Sequence, residues 1–304
     1  ATDHLLKGDE QGGGIIYVTG HRHPDTDSIV SAIGYAHLRQ KQGYNVVPCR
    51  LGDLTTETAF ILNKFQQTEP LLITDARAPL DVSVMDDANK VNESAILRDI
   101  IERFDADRKV FTVQDEKSHL LGLVTNSSIG AIAWGDTAQG IDLLAKTSVE
   151  NLNRSIDGKL LYAPGESDHN GKVSILALSA NHLKYYDLEK RIVVMGNDTT
   201  AQIEAINKGA SVLILVWTKE VAPMVMQAAK AAKCAIILSG HGAMNTSRYL
   251  YYAIPVKDIM TPNKDLIVFS EAEFVDDARE KMMRSRHRAY PIVDDENRVM
   301  GLTS

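Results

Sequence analysis

Gly14-Ile15-Ile16-Tyr17-Val18-Thr19-Gly20-His21-Arg22-His23-Pro24-Asp25-Thr26-Asp27-Ser28 opens the patterned part of the chain. Its apolar run predicts a short buried strand, and the polar stretch Gly20–Asp27 predicts a loop. Ser28 reads as the N-cap of the helix that follows, because apolar residues recur at Ile29, Ile33, Ala36 and Leu38. Gly43 ends that helix. Asn45–Arg50 reads as a second strand, and Glu57–Phe65 as a second helix capped by Thr55 or Thr56. A βαβα opening of this kind places its polar loop at the carboxyl end of the first strand, where open α/β sheets take their ligands. The residues before it, up to Gly12-Gly13-Gly14, read as a loose leader or a cloning remnant.

Composition narrows the function. The chain has 304 residues, 44 % of them hydrophobic and 24 % charged, which fits two or three domains of a soluble globular protein. A formal net charge of −7 counts against a nucleic-acid-binding surface. An acidic chain that handles phosphates needs local positive charge, and a divalent metal supplies it. The two cysteines, Cys49 and Cys234, sit far apart in apolar runs and are expected to be reduced core residues of a cytoplasmic protein. No apolar run approaches the length of a membrane span, so no membrane association is expected.

Two later segments share one order of elements. A helix near Ala95–Phe104 leads to a strand Lys109–Val113, the turn Asp115-Glu116-Lys117 and Leu121-Gly122-Leu123-Val124-Thr125. A helix near Val275–Ser285 leads to Ala289–Val293, the turn Asp294-Asp295-Glu296-Asn297 and Val299-Met300-Gly301-Leu302-Thr303. Internal repetition is a strong guide to architecture. The pair, with Lys257-Asp258-Ile259-Met260-Thr261 at the start of the second copy, resembles two CBS domains. Such domains dock together and hold adenine nucleotides in the cleft between them. The α/β segment between the copies has strands at Arg191–Asn197, Ser211–Trp217 and Ala235–Leu238 and helices near Thr200–Asn207 and Pro223–Ala232. It resembles a DRTGG domain, although Ser239-Gly240-His241-Gly242 departs from the motif that names that domain.

Asp25 and Asp27, two residues apart on a strand-end loop, can point at one centre, and His21 adds an imidazole. That donor set suits Mn²⁺, Co²⁺ or Zn²⁺, while carboxylates alone tolerate Mg²⁺. The plainer reading is a polar turn in which Asp25 or Asp27 caps the helix. Two neighbouring carboxylates repel unless a cation lies between them, and a cap needs only one.

The string Pro24-Asp25-Thr26-Asp27-Ser28 resembles the first signature of the DHH phosphoesterase superfamily, in the form used by family II inorganic pyrophosphatases. Arg50-Leu51-Gly52 and Glu57-Thr58-Ala59-Phe60-Ile61-Leu62 are similar to the next block of that family. One subgroup carries a CBS–DRTGG–CBS insert, and residues 71–304 resemble it. The resemblance implies an α/β fold. It has the N-terminal part of a parallel-sheet catalytic domain at 14–70, a first CBS domain at 71–136, a DRTGG-like domain at 150–254 and a second CBS domain at 255–304. It implies that His21 and Asp25 hold one metal and Asp27 the other, with Mn²⁺ or Co²⁺ in the two-metal site and Mg²⁺ arriving with pyrophosphate. The family's Asp-His-His motif and its further ligands fall after the insert, and this chain has none. The resemblance therefore implies an N-terminal portion that is inactive alone. Asp75, after Leu71-Leu72-Ile73, falls where the insert begins and is not assigned to the metals. His23 is expected near the site or at the surface.

For the nucleotide, Thr125, Ser128 and Thr303 offer hydroxyls at strand ends, Arg288 offers charge for phosphate, and Tyr290 offers a face for adenine. Strand-end capping and core packing are the alternative reading of the same residues. The resemblance implies control by AMP, ADP or ATP and a homodimer formed through the CBS domains. Two other functions stay open: a nucleotide-sensing module without catalysis, and another DHH phosphoesterase.

Overall fold

The computed structural model describes residues 15–75, 77, 80, 85–104, 109–133, 137–177 and 180–304. The chain divides into two units, Ala1–Arg77 and Ala78–Ser304.

In the first unit, β1 (Ile16–Val18), β2 (Val46–Arg50) and β3 (Leu71–Leu72) form a parallel sheet in that order. Helix α1 (Thr26–Lys41) joins β1 to β2, and α2 (Thr56–Lys64) joins β2 to β3. Ser28 is not the cap of α1. Asp25 holds that position in extended conformation, and its Oδ1 accepts from the Ser28 amide at 2.8 Å. A carboxylate three residues before an orphan N–H reaches it, whereas Ser28 already lies inside the helix. The buried face of α1 is Ile29, Ala32 and Ala36, at helical spacing, while Leu38 is exposed. The helix ends at Lys41, and Gly43, just past its C-cap Gln42, has a φ of +91° that favours glycine.

The second unit begins with one copy of the repeat: β4 (Lys90–Asn92), α3 (Leu97–Ile100), β5 (Val110–Gln114), β6 (Leu120–Thr125) and α4 (Asn126–Ala133). Helices α5 (Ala138–Ala145) and α6 (Val149–Ser155) lead to a five-stranded sheet. Its members are β7 (Lys159–Tyr162), β8 (Val173–Leu176), β9 (Ile192–Met195), β10 (Val212–Leu215) and β11 (Ala235–Leu238). The order is β7-β11-β10-β9-β8, with only β7 antiparallel. All residues of β9, β10 and β11 are buried, as befits parallel strands covered on both faces. One face packs on α7 (Ala180–Leu183), α8 (Thr199–Asn207) and α9 (Pro223–Ala232). The other packs on the first repeat and on α10 (Ala243–Tyr251), in a core that joins Phe111, Val124 and Leu144 to Ile192, Ile214 and Ile237.

The second copy holds β12 (Thr261–Pro262), β13 (Phe269–Ser270), α11 (Val275–Met283), β14 (Tyr290–Val293) and β15 (Val299–Thr303). In both copies a short strand runs parallel to a middle strand that forms a hairpin with the next, as β4-β5-β6 and β13-β14-β15. The two hairpin turns match bond for bond. Asp115 Oδ1 accepts from the amides of Lys117 and His119, and Asp294 Oδ1 from those of Glu296 and Arg298. Each turn also puts one residue at positive φ, Ser118 at 69° and Asn297 at 60°. Hydrogen bonds from the Arg298 backbone and side chain hold the Asp294 carboxyl below its ordinary value.

The copies exchange strands. Thr261 and Pro262 of β12 pair with Leu123 and Gly122 of the first copy, and Asp86 forms the matching bridge to Leu302 of the second. Leu120 and Val299 bond to Asn297 and Ser118 across the same boundary. Each sheet is therefore completed by the chain that precedes the other copy, and a cleft forms where they meet.

Candidate metal centre and nucleotide cleft

The β1–α1 loop shapes a pocket of about 330 Å³ lined by His21, Asp25, Asp27 and Ser28, with Gly20 and Tyr35. All three residues expected at the metal site thus face one pocket of the first unit. His21 Nε2 lies 3.6 Å from Asp25 Oδ1. Among the described residues no group of three His, Cys, Asp or Glu is arranged to hold a metal ion. The cap reading of Asp25 holds as well, since its Oδ1 serves the Ser28 amide. One carboxylate has two oxygens, so capping leaves Oδ2 free for a further partner. Ser28 Oγ is buried without a protein partner, pressed against Gly20, where a β-carbon would stand 1.8 Å away. The donor chemistry fits a divalent transition ion: one imidazole, two carboxylates and an orphaned hydroxyl on one wall. Asp75 forms a fork with Arg77, whose guanidinium holds the carboxyl below its ordinary value, so it serves a local turn.

Behind the loop, Arg50 donates to the carbonyls of Pro70 and Gly52. Gly52 in turn abuts the loop, where its β-carbon would stand 2.5 Å from the Arg22 carbonyl oxygen. The second sequence block therefore braces the first.

Between the repeats of the second unit lies a cleft of about 980 Å³. Thr125 and Thr303, the last residues of β6 and β15, stand in its wall with Lys109, Arg286, Arg288 and Ser127. Asp86, Asp87 and Thr261 come from the exchanged segments, and Val110, Leu123, Leu266 and Leu302 supply apolar wall. Three of the expected residues, Thr125, Arg288 and Thr303, are thus brought together.

Two expectations need correction. Tyr290 does not face the cleft. It is 3 % exposed, its ring centroid lies 5.5 Å from that of Phe269, and its Oη donates to the His287 carbonyl at 2.7 Å. Strand alternation turns it into the core of the second repeat. Ser128 is not at the wall either. Its Oγ accepts from the Thr125 amide at 3.3 Å and caps the end of β6, while Ser127, one residue earlier, reaches the cleft. Asp86, Asp87, Lys109 and Arg286 were not foreseen. The signal was present in the repeat, because Met85-Asp86 stands to the first copy as Met260-Thr261 does to the second.

A DRTGG domain model matches residues 151–253, and a CBS domain model matches residues 256–304. The cobalt-dependent inorganic pyrophosphatase of Clostridium perfringens is 28 % identical over 292 residues, covering 94 % of this chain and 53 % of that protein. The chain is a homologue of the family II cobalt- and manganese-dependent inorganic pyrophosphatases. A probable manganese-dependent inorganic pyrophosphatase of Thermotoga maritima is 27 % identical over 294 residues, again 94 % of this chain and 53 % of the relative. The chain thus spans about half the length of these family II relatives. The crystal structure of the CBS and DRTGG domains of the C. perfringens pyrophosphatase regulatory region, complexed with the activator diadenosine tetraphosphate, matches with a TM-score of 0.65 at 26 % identity. It covers 75 % of this chain and 100 % of that one.

Among the described residues no helix is long and apolar enough to cross a membrane. Both cysteines are free and buried, and burial pushes both thiols up, Cys234 to about 12, away from the lowered range of reactive cysteines.

Proposed function

We propose that this chain supplies the first metal-binding loop and the nucleotide-sensing module of a manganese- or cobalt-dependent inorganic pyrophosphatase. The observation that carries the reading is the cleft between the exchanged repeats, with Thr125 and Thr303 on equivalent strand ends and three cations beside them. Its volume suits a small-molecule ligand. Lys109, Arg286 and Arg288 meet phosphate oxygens, and the threonine hydroxyls donate to them. Asp86 or Asp87 accepts from ribose hydroxyls. With Tyr290 in the core, the base lies between aliphatic side chains. AMP, ADP, ATP and diadenosine polyphosphates share this chemistry. A ligand that favours one arrangement of the repeats shifts the protein only by its difference in affinity for the two states.

His21, Asp25 and Asp27 would hold the metals, which supply positive charge and an activated water for the attack on pyrophosphate. Asp25 would do so while still capping the helix. Mg²⁺ accompanies the substrate. Residues 14–70 form the catalytic portion, 71–136 and 255–304 the CBS pair, and 150–254 the DRTGG-like domain between them. The protein works in the cytoplasm as a homodimer joined through its CBS domains.

A second reading, a nucleotide sensor without catalysis, is favoured by the missing three-ligand cluster among the described residues. One pair of titrations separates the readings. Calorimetry with AMP and with diadenosine tetraphosphate reports the sensor. Mn²⁺-dependent phosphate release from pyrophosphate, by this chain together with any further catalytic segment of its gene, reports the enzyme. Nucleotide binding without any such release leaves only the sensor.

A further inference from the structure

Thr58 is a polar residue with no exposed surface, in the first turn of α2. A buried hydroxyl requires partners, and both of its partners are hydroxyls at helix starts. Its Oγ1 lies 2.7 Å from Oγ1 of Thr55, the N-cap of α2, and 2.9 Å from Oγ1 of Thr26, the first residue of α1. Thr55 Oγ1 also accepts from the Thr58 amide at 3.1 Å. The chain Thr55–Thr58–Thr26 therefore ties the start of one helix to the start of the other.

Thr26 sits between Asp25 and Asp27. Turning its backbone would swing the two flanking carboxylates in different directions, so fixing Thr26 fixes both. On the far side Gly52 leaves the loop no slack, since its missing β-carbon would stand 2.5 Å from the Arg22 carbonyl oxygen and 3.1 Å from Pro24 Cδ. The turn is held between these two contacts.

We propose that Thr58 is a positioning residue, whose buried hydroxyl pins Thr26 and so sets the direction of the Asp25 and Asp27 carboxylates. The consequence for metal rests on the metal-loop reading, while the geometry is measured without metal. Thr58→Val keeps the shape and removes the hydroxyl. Thr58→Ser keeps the hydroxyl. Thr26→Val removes the same contact from its other end, outside the core, should Thr58→Val fold poorly.

The test is amide NMR on the full chain. Without metal, Thr58→Val and Thr26→Val should shift or broaden the amides of Asp25, Asp27 and Ser28, leaving those of residues 60–64 in place, and Thr58→Ser should match the wild type. With Mn²⁺ as the probe, paramagnetic broadening at residues 20–28 should require about tenfold more Mn²⁺ in Thr58→Val than in the wild type, with Thr58→Ser restoring it. Unmoved amides at 25–28 in Thr58→Val, or a Thr26→Val whose shifts do not exceed those expected of any neighbour of a substituted residue, overturn the positioning role, whatever the metal does. Absence of Mn²⁺ broadening at residues 20–28 in the wild type, with any further catalytic segment of its gene present, removes the metal-loop reading itself.

Discussion

A β-carbon on Gly122 would stand 2.4 Å from the carbonyl oxygen of Thr261. Gly122 belongs to the first repeat and Thr261 to the strand that enters the second. The mirror position, Gly301, would meet Met85 Cβ at 2.9 Å and Met85 Sδ at 3.0 Å. The glycine shared by both sequence repeats is thus a requirement of strand exchange, and the exchange is what forms the cleft.

Gly122→Ala is expected to destabilise the second unit by about 1–3 kcal/mol, the usual cost of overpacking, because the opposing atom is backbone. Gly301→Ala meets Met85 side-chain atoms at 2.9 Å and beyond rather than a backbone atom at 2.4 Å, and should cost less. Thermal unfolding of both variants checks the order, and a larger loss at Gly301 would count against it.

Asp25 has two tasks that substitution can separate. Asp25→Asn keeps a capping oxygen and should leave stability nearly unchanged, whereas Asp25→Ala should lose about 0.5–2 kcal/mol with the cap. Both should weaken Mn²⁺ binding at the loop. Asp27→Ala should weaken Mn²⁺ with no loss of cap. Urea unfolding beside Mn²⁺-induced broadening reads the two effects apart.

His169 is buried at 4 % exposure, and its Nε2–H donates to the Thr147 carbonyl at 2.8 Å. Burial holds its pKa below the ordinary value of 6.5. A base whose folded pKa is lowered binds its proton more readily when unfolded, so stability falls as pH drops below 6.5 and goes on falling until the folded value is passed. Unfolding measured from pH 8 to pH 5 should show that decline in the wild type and a flatter profile in His169→Gln. Equal slopes would contradict it.

Tyr290→Phe should leave AMP affinity within about twofold and cost about 1 kcal/mol for the lost hydrogen bond to His287. Tyr290→Ala should cost about 3–5 kcal/mol of stability, as for a large core aromatic. Calorimetry with AMP on Tyr290→Phe and melts of both variants decide whether the ring belongs to the core.

Much of this was legible because period and punctuation are local. The strands at 192–195, 212–215 and 235–238 are unbroken apolar runs, and Pro223 marks a helix start. The repeat was legible from two Gly-apolar-Thr strings. Phase was harder to read. Whether Ser127 or Ser128 reaches the cleft depends on a single residue's rotation at the start of α4, and Tyr290 could face either side of β14 until its sheet was known. The N-cap stayed divided between Ser28 and Asp25 or Asp27 because all three are good caps, and only backbone geometry chooses among them. Asp86 was overlooked because its role comes from pairing with Leu302, more than two hundred positions away, and only the likeness of Met85-Asp86 to Met260-Thr261 points to it. The edge strand β7, antiparallel and only half buried, carries the apolar run Leu160–Tyr162, too short to tell a strand from a turn of helix.

The central claim is that the cleft between the exchanged repeats binds adenine nucleotide. Calorimetry with diadenosine tetraphosphate on the wild-type chain and on the Lys109→Ala/Arg288→Ala variant tests it most directly. Each lost charge-assisted phosphate contact is worth about 1.5–3 kcal/mol, so the account predicts saturable binding to the wild type and at least a hundredfold weaker binding to the variant, with both melting cooperatively. Equal affinity in the two proteins, or no binding to a folded wild type, would contradict it.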